Sequence, residues 1–149
     1  MTFSAKLTLL LLRLSLGWIF LFSGWTKVMD PTWSAAGYLK AAKTLPLLFQ
    51  WFASPENLVW VDLFNSWGQL FIGVALIAGF SVRSASLAGM LLMTLYYLPT
   101  LQFPMAGRSF LVDDHVMYFL VFLLLWKTNT GKFFGLQGVI SKLPIIGKL

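Results

Sequence analysis

The apolar run from Leu58 to Phe80 constrains the fold of this chain more than any other feature. It is about 23 residues long, enough for a helix to cross a hydrocarbon core about 30 Å thick. With 58% hydrophobic and 11% charged residues, the composition is that of a membrane protein rather than of a soluble domain. The sequence predicts a single all-α membrane domain over residues 1–149, with four transmembrane helices at about residues 7–28, 58–80, 85–103 and 110–128.

The first apolar run also fits a cleavable signal peptide. Its apolar part is too long for a signal core, and no small-x-small cleavage site follows it, so a first transmembrane helix is favoured. Less apolar residues recur at helical spacing along it, and glycines on that face let another helix approach closely. This face consists of Arg13, Gly17, Phe20, Gly24 and Lys27.

Residues 31–53 contain no further span, because the stretch up to Lys43 is too short and too polar and the apolar stretch from Leu45 to Phe52 has only eight residues. We expect an interfacial helical segment here, anchored at the membrane surface by aromatic side chains: Trp33, Tyr38, Trp51 and Phe52. Residues 129–149 are predicted to form a basic tail. With four spans, the side that holds both termini carries more Lys and Arg than the other side, which predicts an N-in/C-in topology with both termini cytoplasmic.

The composition excludes several functional classes. The scattered Lys and Arg residues do not form the basic face that nucleic-acid binding needs, so no nucleic acid is expected. The chain has no cysteine, which excludes iron–sulfur ligation, and its one histidine cannot supply two axial ligands to a haem. Three successive ligand-type residues on one helix cannot all face one ion, so no metal site is expected at the sequence Asp113-Asp114-His115.

The predicted topology brings polar residues together at the end of the bundle opposite the termini. Ionisable groups at such a depth are costly, so they indicate a functional site. A quinone suits this place, because its carbonyls need donors and its reduction consumes protons that Asp and His can relay. The residues that converge there include Lys27, Asp62, Gln69, Tyr97, Asp113, Asp114, His115 and Tyr118, with a contact between Asp114 and Tyr118 allowed by their spacing.

Each of these residues also has a structural alternative. Asp113 or Asp114 can cap the fourth helix. His115 can be a hydrogen-bonded interfacial histidine, and Lys27 can anchor its helix end or pair with Asp30. For Asp62 and Gln69, hydrogen bonding between helices is the default role.

Three segments resemble the DoxX/DoxD family of small four-helix membrane proteins of bacteria and archaea. They are residues 13–27, 30–40 and 111–118, the last reading Leu-Val-Asp-Asp-His-Val-Met-Tyr. The resemblance implies a prokaryotic cytoplasmic membrane and a redox setting. One branch of that family is the small subunit of thiosulfate:quinone oxidoreductase, which oxidises thiosulfate to tetrathionate and reduces a membrane quinone.

The function expected from the site and the resemblance is a membrane subunit of a quinone-linked oxidoreductase, of the thiosulfate:quinone type. The expected partners are the lipid bilayer, a membrane quinone, and a second redox subunit or further copies of the chain. A non-catalytic scaffold subunit is the alternative, and a small-anion transporter is a third. Asp114, His115 and Lys27 are the catalytic candidates; the quinone- or substrate-binding candidates are Arg13, Asp62, Gln69, Tyr97, Arg108, Asp113 and Tyr118.

Overall fold

The computed structural model describes residues 1–140, almost entirely as helix. The α-helices are α1 (Phe3–Met29), α2 (Ala36–Lys40), α3 (Pro46–Phe52), α4 (Pro55–Ala78), α5 (Val82–Thr100), α6 (Asp114–Thr128) and α7 (Leu136–Ile140). The strands are β1 (Leu101–Gln102), β2 (Met105–Ala106) and β3 (Ser109–Phe110), and a 3-10 helix spans Thr130–Lys132. The predicted all-α class is confirmed. The end of the predicted basic tail, residues 141–149, lies outside the described residues.

Helices α1 and α4 pack closely through glycine. A Cβ added to Gly24 would lie 2.3 Å from the backbone nitrogen of Leu70, and one added to Gly73 would lie 2.3 Å from that of Leu21. No larger residue fits at either position without separating the helices. The glycine-containing face predicted for α1 is therefore the face that meets α4.

Helices α5 and α6 complete the main core. Gly89 of α5 leaves room for the ring of Phe122, which also contacts Phe20 of α1 edge-on at 5.0 Å between ring centroids. The surrounding core is aliphatic, and its buried members include Leu16, Ile72, Leu76, Val82, Met93 and Leu125.

The segment between α1 and α4 covers one end of this bundle. It is helical as predicted, in the form of α2 and α3, which pack on each other through Ala35, Leu39, Phe49 and Ala53. Asp62 of α4 fastens the segment, since its carboxylate accepts a 2.9 Å hydrogen bond from the backbone nitrogen of Ala35.

Helices α5 and α6 differ in their ends from the predicted third and fourth spans, residues 85–103 and 110–128. Helix α5 ends at Thr100, and β1, β2 and β3 form an antiparallel meander before α6 begins at Asp114. Pro104 lies inside this stretch and has no N–H for a helical hydrogen bond. Gly107, with a φ of +59°, makes the turn between β2 and β3.

The start of the predicted basic tail is folded against the bundle. Asn129 ends α6 in the left-handed conformation, and the following residues Thr130 and Gly131 are buried. Arg13, only 2% exposed, reaches them from α1 and donates to the carbonyl oxygens of Thr130, at 3.1 Å, and Phe134. The first part of the tail is therefore part of the bundle.

Within residues 1–140, two helices are long and apolar enough to cross a membrane. They are α1 and α4, whereas α5 and α6 do not meet both criteria. Large apolar side chains stand exposed along them, including Trp18, Phe22, Trp25, Leu63, Phe64 and Phe71. An apolar surface of this extent is typical of contact with lipid or with another protein. The four-span arrangement and its orientation stay predictions.

Candidate functional site

Five side chains from α1, α4 and α5 form one hydrogen-bonded network at the end of the bundle where α1 finishes. Lys27 Nζ donates to Ser23 Oγ over 2.7 Å and to Gln69 Oε1 over 2.6 Å, and Ser23 Oγ donates to the same amide oxygen over 2.8 Å. On the other side of the amide, Gln69 Nε2 donates to the Tyr96 hydroxyl over 2.9 Å, which donates to Asn65 Oδ1 over 2.7 Å. These partners fix the orientation of the Gln69 amide, because its oxygen faces a cation.

Helical spacing explains why these groups meet. Ser23 and Lys27 are four residues apart on α1, and Asn65 and Gln69 are four apart on α4, so each pair shares a face. The close approach of the two helices at Gly24 then brings the Gln69 amide within reach of the lysine. The packing of α1 on α4 therefore builds the network.

Asp113 and His115 add the start of α6 to the site. Asp113 caps the helix, with its Oδ1 accepting from the backbone nitrogens of His115 at 3.0 Å and Val116 at 3.3 Å. Its Oδ2 lies 2.7 Å from His115 Nδ1, and the imidazole lies 5.7 Å from the Tyr96 ring between centroids. An ionised Asp113 favours the proton on Nδ1, which directs the chemistry of the ring to Nε2. The capping alternative is thus confirmed for Asp113, whose carboxylate also contacts His115.

The segment that contains α2 covers the site. The Lys27 ammonium lies 5.3 Å from the centroid of the Trp33 ring, a cation–π contact. Tyr38 donates its hydroxyl hydrogen to the backbone carbonyl of Tyr96, and the two rings meet edge-on at 5.7 Å. Burial raises the pKa of Tyr38 to about 12, with smaller contributions from Tyr96 and Asp113. Its hydroxyl therefore stays neutral at physiological pH and holds α2 against the bundle.

These side chains surround a cavity of about 380 Å³, which we call the polar cavity. Three of its lining residues have hydrogen-bonding capacity that no partner within residues 1–140 uses. Lys27 has a third N–H, His115 has a second ring nitrogen, and Tyr118 has a free hydroxyl. The other lining residues are Ile19, Phe20, Ser23, Trp33, Ser34, Ala35, Tyr38, Gln69, Met93 and Tyr96.

The charge of Lys27 is not balanced by a carboxylate. In the described part of the chain, the one ion pair is that of His115 with Asp113. Asp30 accepts instead from the backbone nitrogen of Thr32 at 2.9 Å and from its hydroxyl at 2.7 Å, and these bonds lower the pKa of Asp30. A half-buried ammonium bound only to neutral groups favours a ligand with an electron-rich oxygen.

A second cavity of about 350 Å³ lies between α4 and α5, below α2 and α3, and we call it the apolar groove. Its walls are almost entirely hydrocarbon and aromatic. It shares three wall residues with the polar cavity: Ala35, Tyr38 and Tyr96. The two cavities are therefore neighbours separated by two tyrosine rings.

The chain is similar to one known protein family. The family model DoxX matches residues 8–99, which is more than half of the chain. The chain belongs to the DoxX family. No curated protein and no solved structure shows a significant match to it. DoxX is a membrane family, so this chain is a membrane protein whose exposed apolar helices fit that setting.

The matched region of DoxX covers part of the site. Lys27, Gln69 and Tyr96 lie within residues 8–99, whereas Asp113 and His115 lie beyond them. The network of α1, α4 and α5 thus belongs to the region that identifies the family, and the residues of α6 come from the part of the chain outside the match.

Several residues predicted for the site come together in this DoxX structure. Lys27, Gln69, His115 and Tyr118 all line the polar cavity, and Asp113 lies directly behind His115. Asp62 does not line the cavity. It stands at the edge, where it holds the backbone of Ala35, a wall residue.

The other predicted residues lie elsewhere. Arg13 is at the opposite end of α1, bound to backbone carbonyls. The Tyr97 hydroxyl donates to the carbonyl of Leu111 over 2.7 Å, outside the polar cavity. Arg108 is exposed in the turn between β2 and β3. Asp114 is exposed and makes no hydrogen bond with Tyr118.

Four polar or aromatic residues in the wall of the polar cavity were not among the predicted site residues: Ser23, Trp33, Tyr38 and Tyr96. Spacing could have distinguished Tyr96 from Tyr97, since Gly89, Met93 and Tyr96 follow one face of α5 and the first two are buried. Ser23 is four residues before Lys27, which is also a usable signal. Trp33 and Tyr38 read as membrane-surface anchors, and only the fold of the α2 segment shows that they cover a cavity.

Proposed function

We propose that this DoxX protein is a membrane subunit of a quinone-linked oxidoreductase and binds the quinone ring in the polar cavity. The observation that carries this proposal is the set of unused hydrogen-bonding groups on Lys27, His115 and Tyr118 around one cavity. In the same proposal, α5 and α6 join α1 and α4 as spans of a four-helix bundle with both termini cytoplasmic.

The residues present fit a quinone. Its two carbonyl oxygens accept hydrogen bonds, and Lys27 and Tyr118 each have a hydrogen to donate. Its flat ring suits the aromatic walls formed by Trp33 and Tyr96. When bound, the quinone supplies a two-electron acceptor that takes up two protons on its oxygens.

His115 is the residue placed to move protons. Asp113 keeps a proton on Nδ1, so that Nε2 can gain a second proton from water and release it into the cavity. Lys27 has a different role, because its ammonium stabilises negative charge on an oxygen as it develops.

The electrons must come from outside this chain. It has no cysteine, so it has no thiol to oxidise, and a partner subunit or a small donor supplies them. Oxidation of two thiosulfate ions to one tetrathionate releases the two electrons that one quinone takes up. Two cations favour such an anionic donor: Lys27, which lines the polar cavity, and exposed Arg108 in the meander beyond α5.

An accessory subunit without catalytic activity is the second candidate. Three aromatic side chains form an exposed ladder at the junction of α3 and α4, with ring centroids 6.4 Å apart for Trp51 and Trp60 and 6.1 Å apart for Trp60 and Phe64. Exposed, pre-ordered aromatic rings are typical anchors for a partner protein. In this case the network around Gln69 would serve only to join helices.

Quinone extraction from protein purified in lipid nanodiscs tests the proposal. We expect the wild type to retain a quinone, and Tyr118→Phe to retain less because one donor to the ring is lost. Tyr97→Phe is the matched control, since that hydroxyl bonds to Leu111 outside the cavity. Wild-type protein without quinone that copurifies with a second subunit would contradict the proposal and favour the accessory role.

A further inference from the structure

The apolar groove exists because α4 and α5 do not close on each other. Gly68 on α4 has no atom within 4 Å of where a Cβ would lie, and Ala88 stands in the wall contributed by α5. Elsewhere on the same helix, α1 occupies the space beside Gly73. The two glycines of α4 thus differ: one packs against a helix and the other leaves a space.

We infer that the apolar groove holds the isoprenoid tail of the quinone whose ring lies in the polar cavity. This inference rests on the proposed function and adds to it a second binding surface, formed by different residues. It assigns the ligand class as a quinone that carries a long hydrocarbon chain.

The wall that the two cavities share supports this assignment. Tyr38 and Tyr96 belong to the walls of both, and the hydrogen bond from Tyr38 to the Tyr96 carbonyl fixes their relative position. A ligand with a polar ring and an apolar chain attached to it would cross from one cavity to the other beside these two tyrosines. From Asn65 to Ile72 the groove follows α4 for about 10 Å at the helical rise per residue.

The chemistry of the groove favours a hydrocarbon chain over a peptide. A peptide in an apolar site leaves its backbone N–H and C=O groups without partners, which is costly, and a hydrocarbon chain has no such groups. Asn65 Oδ1, a polar atom in the wall of the groove, already accepts a hydrogen bond from the Tyr96 hydroxyl. Phospholipid acyl chains share this chemistry, but the unused donors of Lys27 and Tyr118 suit ring carbonyls in the adjoining cavity.

The test fills the groove and compares two probes that differ only in the chain. Gly68→Leu places a side chain in the groove, and Ala88→Leu does so from the opposite wall. Gly37→Leu is the matched control, because Gly37 also has open space around its Cβ position but does not line the groove. The probes are a benzoquinone with a long alkyl chain and the same ring without it, titrated against each variant in nanodiscs.

We expect Gly68→Leu and Ala88→Leu each to weaken binding of the long-chain probe at least tenfold, since each methylene removed from an apolar site costs about fourfold in affinity. Binding of the chain-free probe stays within twofold of the wild type, and Gly37→Leu changes neither. Equal affinities of the two probes for the wild type, or an equal loss of both in the variants, would overturn the tail site while leaving ring binding in place.

Two other results would also count against the inference. If both groove variants lose a copurified phospholipid but bind the long-chain probe as the wild type does, the groove is an acyl-chain site. If neither probe binds the wild type, the proposed function fails first. The chain-free probe distinguishes these cases, because it reports on the polar cavity alone.

Discussion

Two cations on the same face of α1, Arg13 and Lys27, stand at opposite ends of the bundle, about 21 Å apart along the helix. Neither has a carboxylate partner within residues 1–140. Arg13 is 2% exposed and donates to the backbone carbonyls of Thr130 and Phe134. Lys27 is half-buried, donates to the side chains of Ser23 and Gln69, and borders a cavity.

The difference in partners separates a structural role from a site. Backbone carbonyls are fixed by the fold, so Arg13 ties the segment after α6 to α1. The partners of Lys27 are side chains that also bond to each other, and one of its hydrogens remains free. Arg13 and Lys27 lie on the same face of α1, but the structure predicts opposite effects when each is replaced.

Arg13→Leu is expected to have the largest effect on stability. Two carbonyls would lose charged donors in a buried place, which costs about 3 kcal/mol or more in the free energy of unfolding. Thermal unfolding in nanodiscs measures this loss. Arg83→Leu, an exposed change of the same type, should have little effect. Retained quinone per folded molecule should be unchanged in both, and its specific loss in Arg13→Leu would bring Arg13 back into the site.

Lys27→Met is expected to weaken quinone binding and to leave the stability nearly unchanged. The hydrogen bond between Ser23 and Gln69 survives, so the unfolding temperature should change little. Loss of one charged hydrogen bond to the ligand, worth about 2 kcal/mol, should weaken quinone binding ten- to a hundredfold. Lys40→Met serves as the control, since Lys40 is exposed on α2. A destabilised protein with normal quinone affinity would show that Lys27, like Arg13, is structural.

The sequence was sufficient for the features that follow from helical spacing. Gly17 and Gly24 on one face predicted the close approach of another helix, which the structure shows to be α4, and Gln69 at its depth predicted an interhelical hydrogen bond. These predictions succeed because a helix fixes which residues share a face, whatever packs against it.

The sequence was not sufficient where the fold depends on irregular backbone. From the sequence, residues 102–109 read as a short loop and the α2 segment reads as a surface anchor, whereas the structure forms a three-stranded meander and a cover over the polar cavity. Arg13 also illustrates the limit, because its carbonyl partners come from residues more than a hundred positions later, which no local pattern encodes. Tertiary contacts of this kind decide which polar residue belongs to a binding site and which one only joins parts of the fold.

Substitution of Asp113, at the same end of the bundle as Lys27, has a smaller expected effect. Asp113→Asn should preserve the helix cap, since Asn caps as well as Asp, but removes the charge next to His115. We expect normal stability with slower quinone reduction, because a neutral amide no longer favours the proton on Nδ1 of His115. Asp113→Ala, which loses the cap too, should also cost about 1 kcal/mol in stability. An unchanged rate of quinone reduction in Asp113→Asn would leave Asp113 as a cap only.

The smallest expected effect concerns Tyr38, which holds α2 over the polar cavity. Because burial raises its pKa from the ordinary 10.0 to about 12, the stability from the neutral hydroxyl is fully present below pH 10 and is lost as pH rises towards 12. At pH 9, Tyr38→Phe should be less stable than the wild type by about 1 kcal/mol, the value of one hydrogen bond to the Tyr96 carbonyl. Between pH 10 and pH 12 this difference should shrink, because only the wild type has a hydroxyl to ionise at this position. Thermal unfolding of both proteins at each pH measures it. Equal stability of the two proteins at pH 9 would mean that Tyr38 does not anchor α2 through its hydroxyl, and that the cover of the polar cavity depends on Trp33 and Asp62 alone.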